Sequence, residues 1–119
     1  MILGTGPLVS FQGVPVPTKI TVIYDNPTDP EAFEAAYPEQ VELARRIPGL
    51  QGLETSRVWP KEDGTATPAY RCVDLYFADY DAASAAVTTP EAAALFPSVF
   101  GLATGGVRIL FSDIEISTL

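Results

Sequence analysis

A chain of 119 residues with no histidine and a single cysteine has few routes to chemistry, and the residues left to carry it are amides, carboxylates and phenols. Gln40 stands out in YPEQVELARRIPGL (residues 37–50), where apolar groups recur at Phe33, Ala36/Tyr37, Val41, Ala44 and Ile47 with helical spacing. A glutamine both donates and accepts hydrogen bonds but takes no proton near neutrality, as a histidine would. Gln40 could therefore orient a carbonyl or hydroxyl. The plainer reading has it satisfy a backbone group freed by Pro38, or mark the edge of the stripe.

Asp74 is the second candidate, a carboxylate in mid-strand between Val73 and Leu75. Facing a cavity, its pKa would rise and it could act as a general base. An ion pair with Arg57, Arg71 or Arg108 is the structural alternative. Tyr24, Tyr37, Trp59 and Tyr76 are candidates to line an aromatic pocket, with core packing as the alternative, and Phe96 and Phe100 to gate its mouth. Glu31, Glu34, Glu39 and Glu42 read as a solvated acidic helix face.

Other chemistries lack their residues. One cysteine and no histidine leave only carboxylates for a transition metal, and there is no Ser-His or Cys-His pair. Gly101 and Gly105-Gly106 form no dinucleotide or P-loop fingerprint, so the expectation is a cofactor-free protein with no metal. A net charge of −8 repels phosphates and argues against nucleic acid and anionic membranes as partners. Without a basic n-region, a long apolar run or a second cysteine, the chain reads as cytoplasmic.

These residues need elements to hold them. Residues 1–17, rich in proline and glycine yet bearing Ile2, Leu3, Leu8, Val9 and Phe11, predict an extended arm packed on an apolar surface; residues 18–119 form the domain. Strands are predicted over 19–25, 50–59, 69–78 and 106–116. Asp29-Pro30-Glu31 and Thr89-Pro90-Glu91 are helix starts, and Asp79 or Asp81 caps a short alanine-rich helix between them. Pro38 should kink or split the first helix, and Phe96-Pro97 should end the last. The order is β-α-β-β-α-β, the α+β ferredoxin-like arrangement with a four-stranded antiparallel sheet. Pairs such as Val22-Ile23, Tyr76-Phe77 and Leu110-Phe111 put apolar groups on both sheet faces, so a second copy of the chain is expected to cover the face without helices.

The segment from Phe33 through Tyr37 and Gln40 to Ile47-Pro48-Gly49-Leu50 resembles EthD-like proteins of the dimeric α+β barrel superfamily, which carry a Phe-Tyr helix, a His-x-Pro-Leu motif and often Ile-Pro-Gly-Leu. YRCVDLYF (residues 70–77), followed by an acidic cap and an alanine-rich helix, is similar to the family's third strand. The resemblance covers about residues 18–116. Aligned back from Leu50, Gln40 takes the family's histidine position and Glu42 its proline position. The resemblance implies a homodimer with an inter-sheet cavity for a small hydrophobic or aromatic metabolite, bound or transformed in a degradative or secondary-metabolic setting. It also puts in doubt any family mechanism that uses the histidine as acid or base. The alternative is a non-catalytic binding or assembly module that stabilises a partner enzyme.

Overall fold

The computed structural model describes residues 16–118. Within them the chain runs β1 (Thr18–Tyr24), α1 (Pro30–Arg45), β2 (Gly52–Arg57), β3 (Arg71–Phe77), α2 (Tyr80–Ala86), α3 (Pro90–Leu102) and β4 (Val107–Asp113). The sheet order is β2-β3-β1-β4 with every neighbour antiparallel, which is the expected ferredoxin-like topology with its second helix in two pieces. The expected arm over residues 1–17 lies outside the described residues except for Val16 and Pro17, whose carbonyl (Pro17) accepts from the Ile114 N–H at 2.7 Å.

The helix starts follow from local hydrogen-bond chemistry. Asp29, Asp79 and Thr89 each accept from the backbone N–H three residues on, and Pro30 and Pro90 occupy first-turn positions where the missing N–H costs nothing. Asp79, not Asp81, caps α2. Both expected proline breaks are absent. α1 runs unbroken through Pro38, with Phe33 and Tyr37 before it and Gln40 and Ala44 after it all buried. α3 continues past Pro97 to Leu102, anchored by Leu95, Val99 and Leu102. An interior proline removes one helical hydrogen bond, but most helix stability in a protein comes from packing an apolar face, and these stripes stay continuous across each proline.

One sheet face carries the core. Ile20, Val22, Tyr24, Val73, Leu75 and Phe77 pack against Phe33, Tyr37, Ala44, Ala83, Ala92, Leu95 and Val99. The other face is mixed, with Ile23, Tyr76 and Leu110 standing on it among polar residues, as the sequence suggested. β1 alternates strictly between buried and half-buried residues, as does β3 from Cys72 onward, and the outward set mixes Lys19, Thr21, Asp74 and Glu54 with Ile23, Cys72 and Tyr76. The helices also stop short of β2. Thr55 and Arg57 are exposed although their partners Val73 and Arg71 lie on the helix side of the sheet. The turn into β4 needs its glycines, since a Cβ at Gly105 would run into the Asn26 carbonyl and Gly106 has φ +114°.

Candidate functional site

Gln40 projects from α1 into the core with 1% exposure, where the buried Tyr24 hydroxyl donates to its Oε1 at 2.9 Å. Tyr24 reaches it from the end of β1, because the strand's period of two turns Tyr24 to the helix side together with Ile20 and Val22. Tyr37, one turn before Gln40, follows the same helical stripe inward. Its ring stacks on Phe33 at 5.4 Å and meets Tyr24 edge-on at 6.4 Å. The Tyr37 hydroxyl is buried and has no hydrogen-bond partner among the described residues. Buried polar groups are almost always paired, and one left unpaired costs about 1–3 kcal/mol.

Charge frames this aromatic cluster. Arg71 donates from Nε and Nη2 to the two oxygens of Glu34, at 3.0 and 2.8 Å, while the Tyr70 hydroxyl donates to Glu34 at 2.7 Å. The same guanidinium lies 4.5 Å over the Tyr37 ring and stacks on it. Tyr70 meets Phe33 edge-on at 5.1 Å, and Arg57 lies 5.8 Å over Tyr70. Glu34 therefore leaves the solvated band in which the sequence put it. It stands beside Phe33 at the edge of the buried stripe, three residues before Tyr37, and that spacing was the signal in the sequence.

None of these groups exchanges a proton near neutrality. Hydrogen bonds from Arg71 hold the Glu34 carboxyl down at about 2, against the opposing effect of its partial burial. Burial raises the Tyr24 phenol well above its ordinary value, helped by Tyr37 beside it. Burial likewise raises Tyr37, with Arg71 pulling the other way. Gln40 does not titrate. At pH 7 the cluster is a fixed frame of neutral phenols, one amide and one ion pair, suited to holding and orienting a molecule.

The two candidates for catalysis are not brought together. Asp74 lies on the helix-free face, alternating with Val73 and Leu75. Its partners are the Thr21 hydroxyl at 2.6 Å and Lys19 at 3.8 Å, not the arginines considered from the sequence. Tyr76 shares that face and donates to Glu54 at 2.6 Å, a bond that pushes its phenol up to about 12. Phe96 lines an apolar void with Ile20, Leu75, Phe77, Ala92 and Leu95, whose room of about 10 Å³ is that of one water. Trp59 and Phe100 stand on the surface, 87% and 59% exposed. A shallow groove of about 500 Å³ runs past Gln51, Leu53, Glu54, Tyr76 and Ile114 at the start of β2. Among the described residues no helix is long and apolar enough to cross a membrane.

No family model matches the chain. Over 98 residues, 82% of this chain and 94% of the other, it is 33% identical to an uncharacterised 11.0 kDa protein from the thcB-thcC intergenic region of Rhodococcus erythropolis. Among solved structures it resembles an ethyl tert-butyl ether D (EthD) family protein from Bacillus halodurans, with a TM-score of 0.76 and 23% identity over 83% of this chain and 99% of that one. SnoaB, a cofactor-independent oxygenase from Streptomyces nogalater, matches with a TM-score of 0.59 and 15% identity over 86% of this chain and 95% of that one. A dimeric ferredoxin-like protein of unknown function from Jannaschia sp. CCS1 matches with a TM-score of 0.61 and 14% identity over 82% of this chain and 99% of that one.

Proposed function

The chain belongs to one family with the Rhodococcus erythropolis protein and has an EthD-like, ferredoxin-like fold, and on that premise we propose that it is a homodimer binding a small apolar or aromatic metabolite between α1 and the sheet. The observation that carries this reading is the buried Tyr37 hydroxyl, without a partner among the described residues, in an aromatic cluster next to the Tyr24–Gln40 pair. Small-molecule sites are mostly apolar with a few placed polar groups, and this cluster has that composition. The ligand enters from the β2 side, where α1 leaves Thr55 and Arg57 uncovered, since the void beneath the helices is too small for a metabolite.

The cluster's role is to bind and orient. With Tyr24 and Tyr37 held neutral and Gln40 unable to titrate, any transformation draws on the ligand's own reactivity, steered by hydrogen bonds from fixed donors. The second copy covers the helix-free face, burying Ile23 and Leu110 against their equivalents and letting Lys19 and Asp74 meet opposite charges. The dimeric Jannaschia protein shares the fold and supports this arrangement.

Native mass spectrometry of protein purified without denaturation tests the reading. A small-molecule mass retained above the 12.7 kDa chain, and lost in Tyr37→Phe, is the expected result. Apo protein throughout, with no thermal shift from a panel of small aromatic compounds, would overturn it. The exposure of Trp59 favours a second reading, an assembly module that docks on a partner enzyme. Trp59→Ser leaves ligand binding intact under the first reading and abolishes association under the second.

A further inference from the structure

Arg57 on β2 and Arg71 on β3 are directly opposite each other in the sheet register. Like charges in that position repel, unless an anion lies between or beside them. One carboxylate is present, Glu34, and Arg71 engages both its oxygens. Arg57 forms no salt bridge among the described residues and is held over the Tyr70 ring, exposed on the strand that the helices leave uncovered. Two guanidinium groups against one carboxylate leave this rim locally positive in a chain whose net charge is −8. The positive rim is also joined to the orphaned hydroxyl, because Arg71 caps the ring of Tyr37.

A locally positive rim on a strongly acidic chain, next to an aromatic cluster with one unmet hydrogen bond, selects for ligand charge. We infer that the ligand is an acidic aromatic compound, an aromatic carboxylate, whose carboxylate pairs with Arg57 and relieves the Arg57–Arg71 repulsion. Its ring packs beside Phe33, Tyr37 and Tyr70, and a polar group on it meets the Tyr37 hydroxyl. Arginine suits this role because its planar fork matches a carboxylate and it stacks on aromatic faces while doing so. The inference rests on the small-molecule reading above and adds the sign of the ligand's charge.

Isothermal titration calorimetry with 6-hydroxy-2-naphthoate and its neutral isostere 6-hydroxy-2-naphthamide, whose ring hydroxyl can meet Tyr37, separates the two claims. The expected result is naphthoate binding at least tenfold tighter than naphthamide. Arg57→Gln, at an exposed site that leaves the fold intact, should bring the two within about twofold of each other, and Tyr37→Phe should weaken both. Naphthamide binding as tightly as naphthoate, or an undiminished preference in Arg57→Gln, overturns the charge inference and leaves the aromatic site standing. Failure of both compounds to bind overturns the site together with it.

Discussion

Replacing Tyr37 by phenylalanine should stabilise the ligand-free protein, whereas the same change at Tyr24 should destabilise it. Both substitutions keep the ring, so the stacking of residue 37 on Phe33 at 5.4 Å and the edge contact of residue 24 with Phe33 at 5.0 Å survive. What differs is the oxygen. The Tyr37 hydroxyl is buried with no hydrogen-bond partner among the described residues, and removing it relieves about 1–2 kcal/mol of desolvation cost. The Tyr24 hydroxyl donates to Gln40, and its removal leaves a buried amide oxygen unpaired, at a cost of about 1–3 kcal/mol. An unfolding entropy of roughly 0.25 kcal/mol/K for a chain of this length converts each kcal/mol into about 4 °C of Tm. Tyr37→Phe should therefore melt about 4–8 °C higher and Tyr24→Phe about 4–12 °C lower. Differential scanning calorimetry at pH 7 on protein stripped of ligand by refolding reads both values. A fall of similar size in both variants would refute the reasoning, because the Tyr37 oxygen would then be satisfied in solution and would no longer call for a ligand.

Three further outcomes follow from the same contacts. Gln40→Leu alone should cost about 1–3 kcal/mol by stranding the Tyr24 hydroxyl, and the double variant with Tyr24→Phe should cost clearly less than the sum of the singles in a denaturant-melt cycle; strict additivity would mean the bond is absent. Glu34, lowered from 4.5 to about 2, binds protons less readily folded than unfolded, so its contribution is full above about pH 4.5 and is lost as pH falls toward 2. A third of the carboxylate is exposed and screened, which limits that contribution to about 1 kcal/mol, and acid titration of Glu34→Gln should show a correspondingly shallower decline. Light scattering should give twice the 12.7 kDa chain mass, and Leu110→Glu, at a half-exposed position, should give folded monomers; a wild-type monomer would remove the homodimer from the proposal.

Features governed by neighbours in sequence were legible, and features governed by neighbours in space were not. Asp29-Pro30 and Thr89-Pro90 declare helix starts because the capping bonds span three residues. β3 was readable from the alternation of Val73, Leu75 and Phe77. Pro38 and Pro97 misled because the local rule counts one missing hydrogen bond, whereas the buried stripes on either side decide whether a helix continues. Gln40 was legible as an amide on a core face, but not the side of the sheet on which it works. Glu34 and Arg71 lie 37 residues apart, and only the β3 register and the α1 stripe bring them together. No spacing in the sequence reports such a pair.

By the resemblance read from the sequence, Gln40 stands where EthD-like proteins carry a histidine. In Gln40→His, a neutral imidazole can accept from the Tyr24 hydroxyl as the amide oxygen does, so the variant should fold. Its protonated form can neither accept that bond nor keep its hydration at a site only 1% exposed. Burial must then depress the folded pKa well below the ordinary value of about 6.5. A base depressed by folding binds fewer protons folded than unfolded, so stability is complete above about pH 6.5 and falls as the pH drops below it. The Glu34 contribution is still constant between about pH 6.5 and 4.5, so loss of stability beyond that of the wild type in this window reports the new imidazole. Because the wild type has no histidine, the imidazole signals of the variant are unique in an NMR spectrum and its pKa can be read directly. A value near 6.5 would mean that water reaches position 40, and the buried Tyr24–Gln40 frame on which the site is built would have to be abandoned. A depressed value would show that position 40 is dry, so that a histidine there would release the Tyr24 hydroxyl only below its lowered pKa, whereas the glutamine holds it without titrating.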